Sequence, residues 1–200
     1  PFSILSNTLS YFHPAFLFLS GDSNPRHSLL NMGQLYHFEA IAAPAGIFAL
    51  LKRKEKTDRV VWLWLLLYPF PAALTDPGHA IRSIMGAPLF ALLSGYGCCV
   101  VAKFFRSPGA KRAFLAGSVS LLGISFAVYC KFYFLDYPKY SARWWQYGMK
   151  EAIASAEKSR YRCVIVSDRA FFHPPYIFVL FYTQYPPSDY QRLPLDARQN

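Results

Sequence analysis

The sequence carries little charge, and acidic residues are especially scarce. Only 16% of its 200 residues are charged, and 11 Asp and Glu stand against 21 Lys and Arg. Soluble domains typically carry about 25% charged residues. Because 54% of the residues are hydrophobic, the composition excludes a disordered chain and argues against an ordinary soluble enzyme. It favours a chain that is partly embedded in a membrane and partly exposed to water.

The sequence also lacks the common signatures of catalysis and metal binding. It has no glycine-rich phosphate loop, no Ser/His/Asp signature and no cluster of residues with metal-ligand spacing. Its four cysteines do not have zinc-ligand spacing, which favours small buried residues over ligands. The chain begins at Pro1, without an initiator methionine or a signal peptide. We therefore expect a piece of a longer protein.

Four long apolar stretches predict four transmembrane helices. They cover residues 35–51, 60–74, 84–102 and 113–135. A spanning helix needs about 20 residues, with a range of about 17–25. The third and fourth stretches meet this length directly, whereas the first two must include interfacial residues. The predicted fold class is therefore mainly α, a polytopic helical membrane protein with about four transmembrane helices.

Positive charge concentrates in two linkers, and this predicts how the chain is oriented across the membrane. Nine of the 21 Lys and Arg lie between the first and second or the third and fourth stretches, whereas Arg82 is alone between the second and third. Because cytoplasmic loops are enriched in Lys and Arg, we expect a multi-pass protein of the plasma (inner) membrane with residues 1–34, 76–82 and 136–200 outside the cytoplasm. The net charge of +10 then reflects topology, and no nucleic-acid partner is expected.

The segments on either side of the apolar region predict two further parts. Residues 1–34 read as an external loop with a short interfacial helix. Residues 136–200 read as an extracytoplasmic tail with a small α/β fold. In that tail we expect an amphipathic helix from Ser141 to Lys158, a buried strand at Cys163–Val166 and a second helix from Tyr176.

Two polar groups on the predicted outer side are candidates for binding an anion. The first contains Asp22, Arg26 and His27, and the second contains His79 and Arg82. The planar guanidinium of arginine suits phosphate, and histidine adds a second donor. The second group also begins a helix, where free N–H groups favour an anion. Headgroup contacts or loop capping would explain the same residues.

Several motifs resemble those of bacterial glycosyltransferase family 39. They are YFHPAFLF at residues 11–18, GDSNPRHS at 21–28, GQLY at 33–36, and PAALT at 71–75 followed by His79 and Arg82. This family has the GT-C fold and includes relatives of protein O-mannosyltransferases and aminoarabinose transferases. The resemblance covers most of residues 10–105 and, more loosely, the tail.

The resemblance implies an enzyme that moves a sugar from a polyprenyl-phosphate donor to an acceptor at the outer face of the membrane. The acceptor, a glycan, lipid or protein, is not identified. The family's catalytic aspartate lies in an external loop that nothing here matches, so the catalytic residue is unknown and this part of the protein is expected to lack it. The residues assigned to the donor or its phosphate are Asp22, Arg26, His27, His79 and Arg82. No cofactor is assigned, and a divalent metal ion in the full-length protein stays open.

Two other functions fit the same composition. One is a non-enzymatic multi-pass protein, such as a transporter or flippase component for lipid-linked sugars. The other is a structural membrane protein with an external interaction domain. A transporter should carry polar residues through its spans, whereas these stretches contain no charged residue apart from Glu39 and Lys131. That pattern favours an enzyme acting at the membrane surface.

Overall fold

The chain is mainly helical and forms two compact units. The computed structural model describes residues 2–159, 163–166 and 175–194, and these residues contain no β-strand. The first unit is Pro1–Tyr137 and the second is Pro138–Asn200. The five candidate residues all belong to the first unit.

Helices of very different length make up the first unit. Helices α1 to α6 cover Phe2–Ser10, Glu39–Arg53, Asp58–Leu67, Phe70–Ala73, Gly86–Ala102 and Pro108–Lys131. A π-helical turn at Ala15–Leu19 follows α1, a 3₁₀ turn at Ile81–Ser83 precedes α5, and a second π-helical turn at Phe132–Asp136 follows α6. Ser107 caps α6, since its side chain accepts the N–H of Ala110.

Helices α2 and α5 pack with their backbones in close contact. A Cβ added to Gly46 would lie 3.2 Å from the Gly97 nitrogen, and a Cβ added to Gly97 would lie 2.8 Å from the Gly46 nitrogen. Neither helix has room for a larger residue at these positions. Small residues of this kind let two helices approach closely, as is common in helix pairs of membrane proteins. Leu50, Leu89 and Leu93 are buried beside this contact.

Aromatic residues join the N-terminal segment to the rest of the first unit. Tyr11 is fully buried and meets Phe16 edge-to-face, with ring centroids 5.3 Å apart. The Tyr68 hydroxyl donates to the Tyr11 carbonyl oxygen at 2.7 Å. The π-helical turn is also bonded to the segment that precedes α2, because the Leu35 N–H donates to the Leu17 oxygen at 2.8 Å. The two candidate loops, residues 21–28 and 76–82, are anchored around this core.

The prediction of four transmembrane helices is wrong. Among the described residues, only the helix Pro108–Ser141 is long and apolar enough to cross a membrane. Helix α2 has 15 residues and α3 has 10. At about 1.5 Å per residue, α2 reaches about 22 Å, which is short of the roughly 30 Å hydrocarbon core. Helix α5, with 17 residues, is apolar and reaches about 26 Å, which is also short of the roughly 30 Å hydrocarbon core.

Local structure explains why the first two stretches are shorter than their hydropathy predicts. Leu35 bonds to the π-helical turn, so α2 begins only at Glu39. The second stretch is interrupted at Tyr68 and Pro69, so it forms α3 and the short α4 instead of one helix. Proline removes a backbone donor and clashes with the preceding helical turn. Helix α6 differs from the helices of these two stretches in that none of its residues is buried within the structure.

The second unit contains short helices and no strand in its described residues. Helix α7, Tyr137–Ser141, lies at its start, and α8, α9 and α10 cover Met149–Lys158, Tyr176–Tyr182 and Pro187–Arg192. Helix α8 packs on α9 and buries Met149 and Ile153.

The predicted α/β tail is therefore wrong. Cys163–Val166 forms no strand, and Ile165 is 92% exposed. A strand is stable only when its backbone pairs with another strand, and the described part of this unit offers none. The predicted helix from Ser141 begins instead at Met149, since Gly148 before it has a φ of 95°.

Candidate functional site

The two polar groups singled out in the sequence meet in space. The rings of His27 and His79 stack, with centroids 4.1 Å apart and planes at 22°. The Asp22 Oδ2 atom lies 2.9 Å from His27 Nδ1. The same oxygen accepts the backbone N–H of Ala80 at 2.9 Å, a contact between residues 58 positions apart. We call Asp22, His27 and His79 the Asp–His–His cluster.

The loop at residues 21–28 is built around the Asp22 carboxylate. Asp22 is 7% exposed, and its Oδ1 atom accepts the N–H of Asn24 at 2.8 Å. The Asn24 side chain in turn accepts the N–H of Arg26 at 3.0 Å. Gly21 begins the loop with a φ of +66°, and a Cβ there would meet the Ser28 hydroxyl at 2.7 Å. Only glycine suits this position, so the loop conformation is well defined.

The second loop is tied to Tyr11. The Tyr11 hydroxyl donates to the Asp76 carbonyl oxygen at 2.6 Å and accepts the His79 N–H at 3.1 Å. Burial raises the pKa of Tyr11 above its ordinary value of 10.0, so the phenol keeps its proton near neutral pH. Gly78 has a φ of +65°, which lets the chain turn just before His79. The hydroxyl therefore fixes both ends of the turn that carries His79.

Arg82 lies beside the cluster but faces different partners. Its guanidinium pairs with the Asp76 carboxylate and the Thr75 hydroxyl, and its side chain is 44% exposed. Its backbone N–H approaches His79 Nδ1 at 3.4 Å. Arg26 is half-buried in the first loop. The structure thus gathers Asp22, His27 and His79 into contact and places Arg82 one turn away.

The environment of His79 favours its neutral form. Burial lowers the pKa of His79 below 6.5, and the nearby His27 and Arg82 lower it further. A neutral imidazole has one N–H donor and one nitrogen lone pair. The cluster therefore offers a carboxylate and a neutral ring, and His27 completes it with a second imidazole.

The three side chains also have the composition of a metal site. One ligand atom from each residue lies within 4.8 Å of the other two. Sequence reasoning missed this group because His27 and His79 belong to separate motifs. The available signal was only that each motif contains a histidine, which does not predict that the two rings meet.

An apolar cavity of about 160 Å³ adjoins the cluster. His27 lines it together with polar Gln34 and Ser83. The other side chains around it are mainly apolar or aromatic, and they include Phe16, Leu17, Leu35, Tyr68, Ile84 and Phe90. The cavity therefore combines a few polar side chains with a largely apolar lining.

Glu39 is a buried acid that serves the backbone. It is 8% exposed, and its Oε2 atom accepts the N–H of Tyr36 at 2.9 Å. This bond satisfies a free N–H just before α2 begins. Glu39 therefore stabilises the start of α2 and does not belong to the cluster.

Comparison with known protein families, with curated proteins and with solved structures finds no match to this chain. The relation to glycosyltransferase family 39 stays a prediction that rests on the motifs of the sequence.

Proposed function

We propose that this protein binds a polyprenyl-phosphate-linked sugar at a membrane and takes part in transferring that sugar to an acceptor. The observation that supports the proposal is the meeting of two motifs. The loop that carries Asp22 and His27 contacts the loop that carries His79, and Arg82 lies next to them. Motifs that converge on one surface fit a shared ligand better than two unrelated loop caps do.

The hydrogen-bond donors of the site suit a phosphate that acts as the leaving group. In the transfer, an acceptor oxygen bonds to the sugar's anomeric carbon, the carbon–oxygen bond to the phosphate breaks, and a base takes the acceptor's proton. Negative charge grows on the polyprenyl phosphate, so fixed donors aimed at it lower the barrier. The Arg82 guanidinium and the Nε2–H group of His79 are such donors, since His79 Nδ1 accepts the Arg82 N–H. Asp22 orients His27 by bonding to its Nδ1 atom. No described residue is assigned as the base.

The surroundings of the site suit a lipid carrier. The adjoining cavity is largely apolar and has His27 in its lining, which suits a ligand with an isoprenoid chain and a charged head. The helix Pro108–Ser141 is long and apolar enough to cross a bilayer, and its apolar 18-residue stretch is not buried in the protein. We propose that this helix holds the chain in the membrane, where such a donor resides.

Binding of polyprenyl phosphate tests the proposal. Wild-type protein and variants are reconstituted in lipid nanodiscs, and the bound fraction of radiolabelled polyprenyl phosphate is measured. Hydrogen bonds to charged groups contribute about 1.5–3 kcal/mol, so Arg82→Ala should weaken binding by about 10- to 100-fold. Arg59→Ala removes an exposed cation of α3 and is the matched control.

Two results would contradict the proposal. Equal affinity of wild type, Arg82→Ala and Asp22→Asn would show that these loops do not bind the phosphate. An equal loss in Arg59→Ala would show that general positive charge is being measured. With a sugar-loaded carrier, sugar appearing on an acceptor supports transfer. Movement of an intact carrier between leaflets would instead indicate a flippase component.

A further inference from the structure

We propose that Asp22, His27 and His79 form a binding site for one divalent transition-metal ion, with zinc as the best match. Two imidazoles and one carboxylate are a common ligand set for zinc, which takes nitrogen ligands at about 2.0–2.1 Å and carboxylate oxygens at about 2.0–2.2 Å. The inference does not depend on sugar transfer, because the ion can be measured on the purified protein alone.

The distances are close to those that an ion requires. Asp22 Oδ2 and His27 Nδ1 are 2.9 Å apart, and all three ligand atoms lie within 4.8 Å of one another. Ligands of a tetrahedral zinc ion are separated by about 3.3 Å, as follows from the bond lengths. The ligand atoms therefore need to move by about 1–2 Å, and the two rings, which stack with planes 22° apart, have to turn so that their in-plane lone pairs point at the ion.

Backbone groups already orient the carboxylate as the outer partners of a metal site do. Asp22 accepts the N–H of Asn24 on one oxygen and the N–H of Ala80 on the other. Partners of this kind fix the direction of a metal ligand and contribute to affinity. The His79 backbone is held in the same way by the Tyr11 hydroxyl. The Asp22 carboxylate and the His79 backbone are thus already held in place before an ion binds.

The chemistry of the donors narrows the choice of ion. Imidazole nitrogen favours zinc, copper, nickel and iron over magnesium and calcium, which prefer oxygen ligands. Three protein ligands leave at least one position open for water or a ligand oxygen. When an ion binds His27 Nδ1, the proton of the neutral ring resides on Nε2. The ion then replaces the hydrogen bond between Asp22 and His27.

Titration of the purified full chain with Zn²⁺ tests the site. After treatment with a chelator, isothermal titration calorimetry should give one ion per chain, and Asp22→Asn, His27→Gln and His79→Gln should each lower the affinity at least about 10-fold. His37→Gln removes an exposed histidine outside the cluster and should leave the affinity unchanged. Circular dichroism of each variant shows whether its helices are retained.

Cobalt absorption distinguishes this site from the cysteines and keeps the test valid if a variant does not fold. Co²⁺ bound to wild-type protein should show bands of nitrogen and oxygen ligation without a sulfur charge-transfer band. A sulfur band would assign the ion to one of the free cysteines and overturn the proposal. Absence of stoichiometric binding to wild type, or equal weakening in His37→Gln, would overturn it as well. Any of these results leaves the phosphate-binding test unaffected.

Discussion

Replacing Gly97 with alanine tests the packing that supports the first unit. A Cβ at this position would lie 2.8 Å from the Gly46 nitrogen and 3.0 Å from the Ala42 carbonyl carbon, and closer still to the Ala42 oxygen. Ordinary contacts begin at 3.4 Å, so relief of the contact with the Ala42 oxygen, the shortest of the three, requires α2 and α5 to separate by more than about 1 Å. That movement would loosen the buried leucines along the same contact.

The magnitude follows from two opposing effects. Overpacking of a well-packed interface costs about 1–3 kcal/mol, whereas alanine is favoured over glycine inside a helix by about 1 kcal/mol. We expect Gly97→Ala to lower the free energy of unfolding by up to about 2 kcal/mol. For a chain of this size that lowers the Tm by up to about 8 °C.

Gly95 provides the matched control in the same helix. A Cβ there would meet no atom within 4 Å, so Gly95→Ala should gain up to about 1 kcal/mol from helix propensity and raise the Tm slightly. Far-ultraviolet circular dichroism of both variants in the same detergent measures the difference. If Gly97→Ala melts at or above the temperature of Gly95→Ala, the close contact of α2 and α5 is refuted.

Two further predictions concern polar contacts. The hydrogen bond from Arg53 holds the pKa of the buried Asp58 carboxyl below its ordinary value. This pair therefore stabilises the fold above about pH 4. Its contribution is lost as the pH falls through the lowered pKa of Asp58. Denaturant unfolding at pH 7 and pH 3 should show a smaller loss of stability in Asp58→Asn than in wild type, and equal losses would contradict this. Tyr11→Phe leaves the His79 N–H without its acceptor and should lower the free energy of unfolding by about 1–3 kcal/mol. The control Tyr147→Phe changes a side chain that is 82% exposed and should change the Tm little. A similar Tm for both variants would count against the role of the Tyr11 hydroxyl.

The sequence predicts the positions of the apolar helices better than their lengths. Hydropathy marks the region of α2, but it does not reveal that Leu35 bonds to the π-helical turn and delays the helix to Glu39. In the same way, the Tyr68–Pro69 interruption divides the second stretch into α3 and α4. These limits come from contacts between distant residues, which a window of hydropathy does not contain.

The candidate site, like the helix lengths, depends on contacts between distant residues that the local sequence does not reveal. Motif and charge single out Asp22, His27 and His79 individually. Their joint geometry depends on the bond from Ala80 to Asp22 and on the Tyr11 hydroxyl, and neither partner is indicated by spacing. The predicted strand at Cys163–Val166 is wrong for a related reason, because a run of apolar residues does not supply a neighbouring strand.

The bond between Asp22 and Ala80 also bears on how the protein is made. Asp22 is buried in the folded chain, yet one of its main-chain donors lies 58 residues later in the sequence. A ribosome must therefore extend the chain well past α4 before this carboxylate gains all its partners. Until then Asp22 has to stay in water, since a carboxylate without partners is costly to bury. Closure of the loop around Asp22 thus has to wait until the chain has been made as far as Ala80.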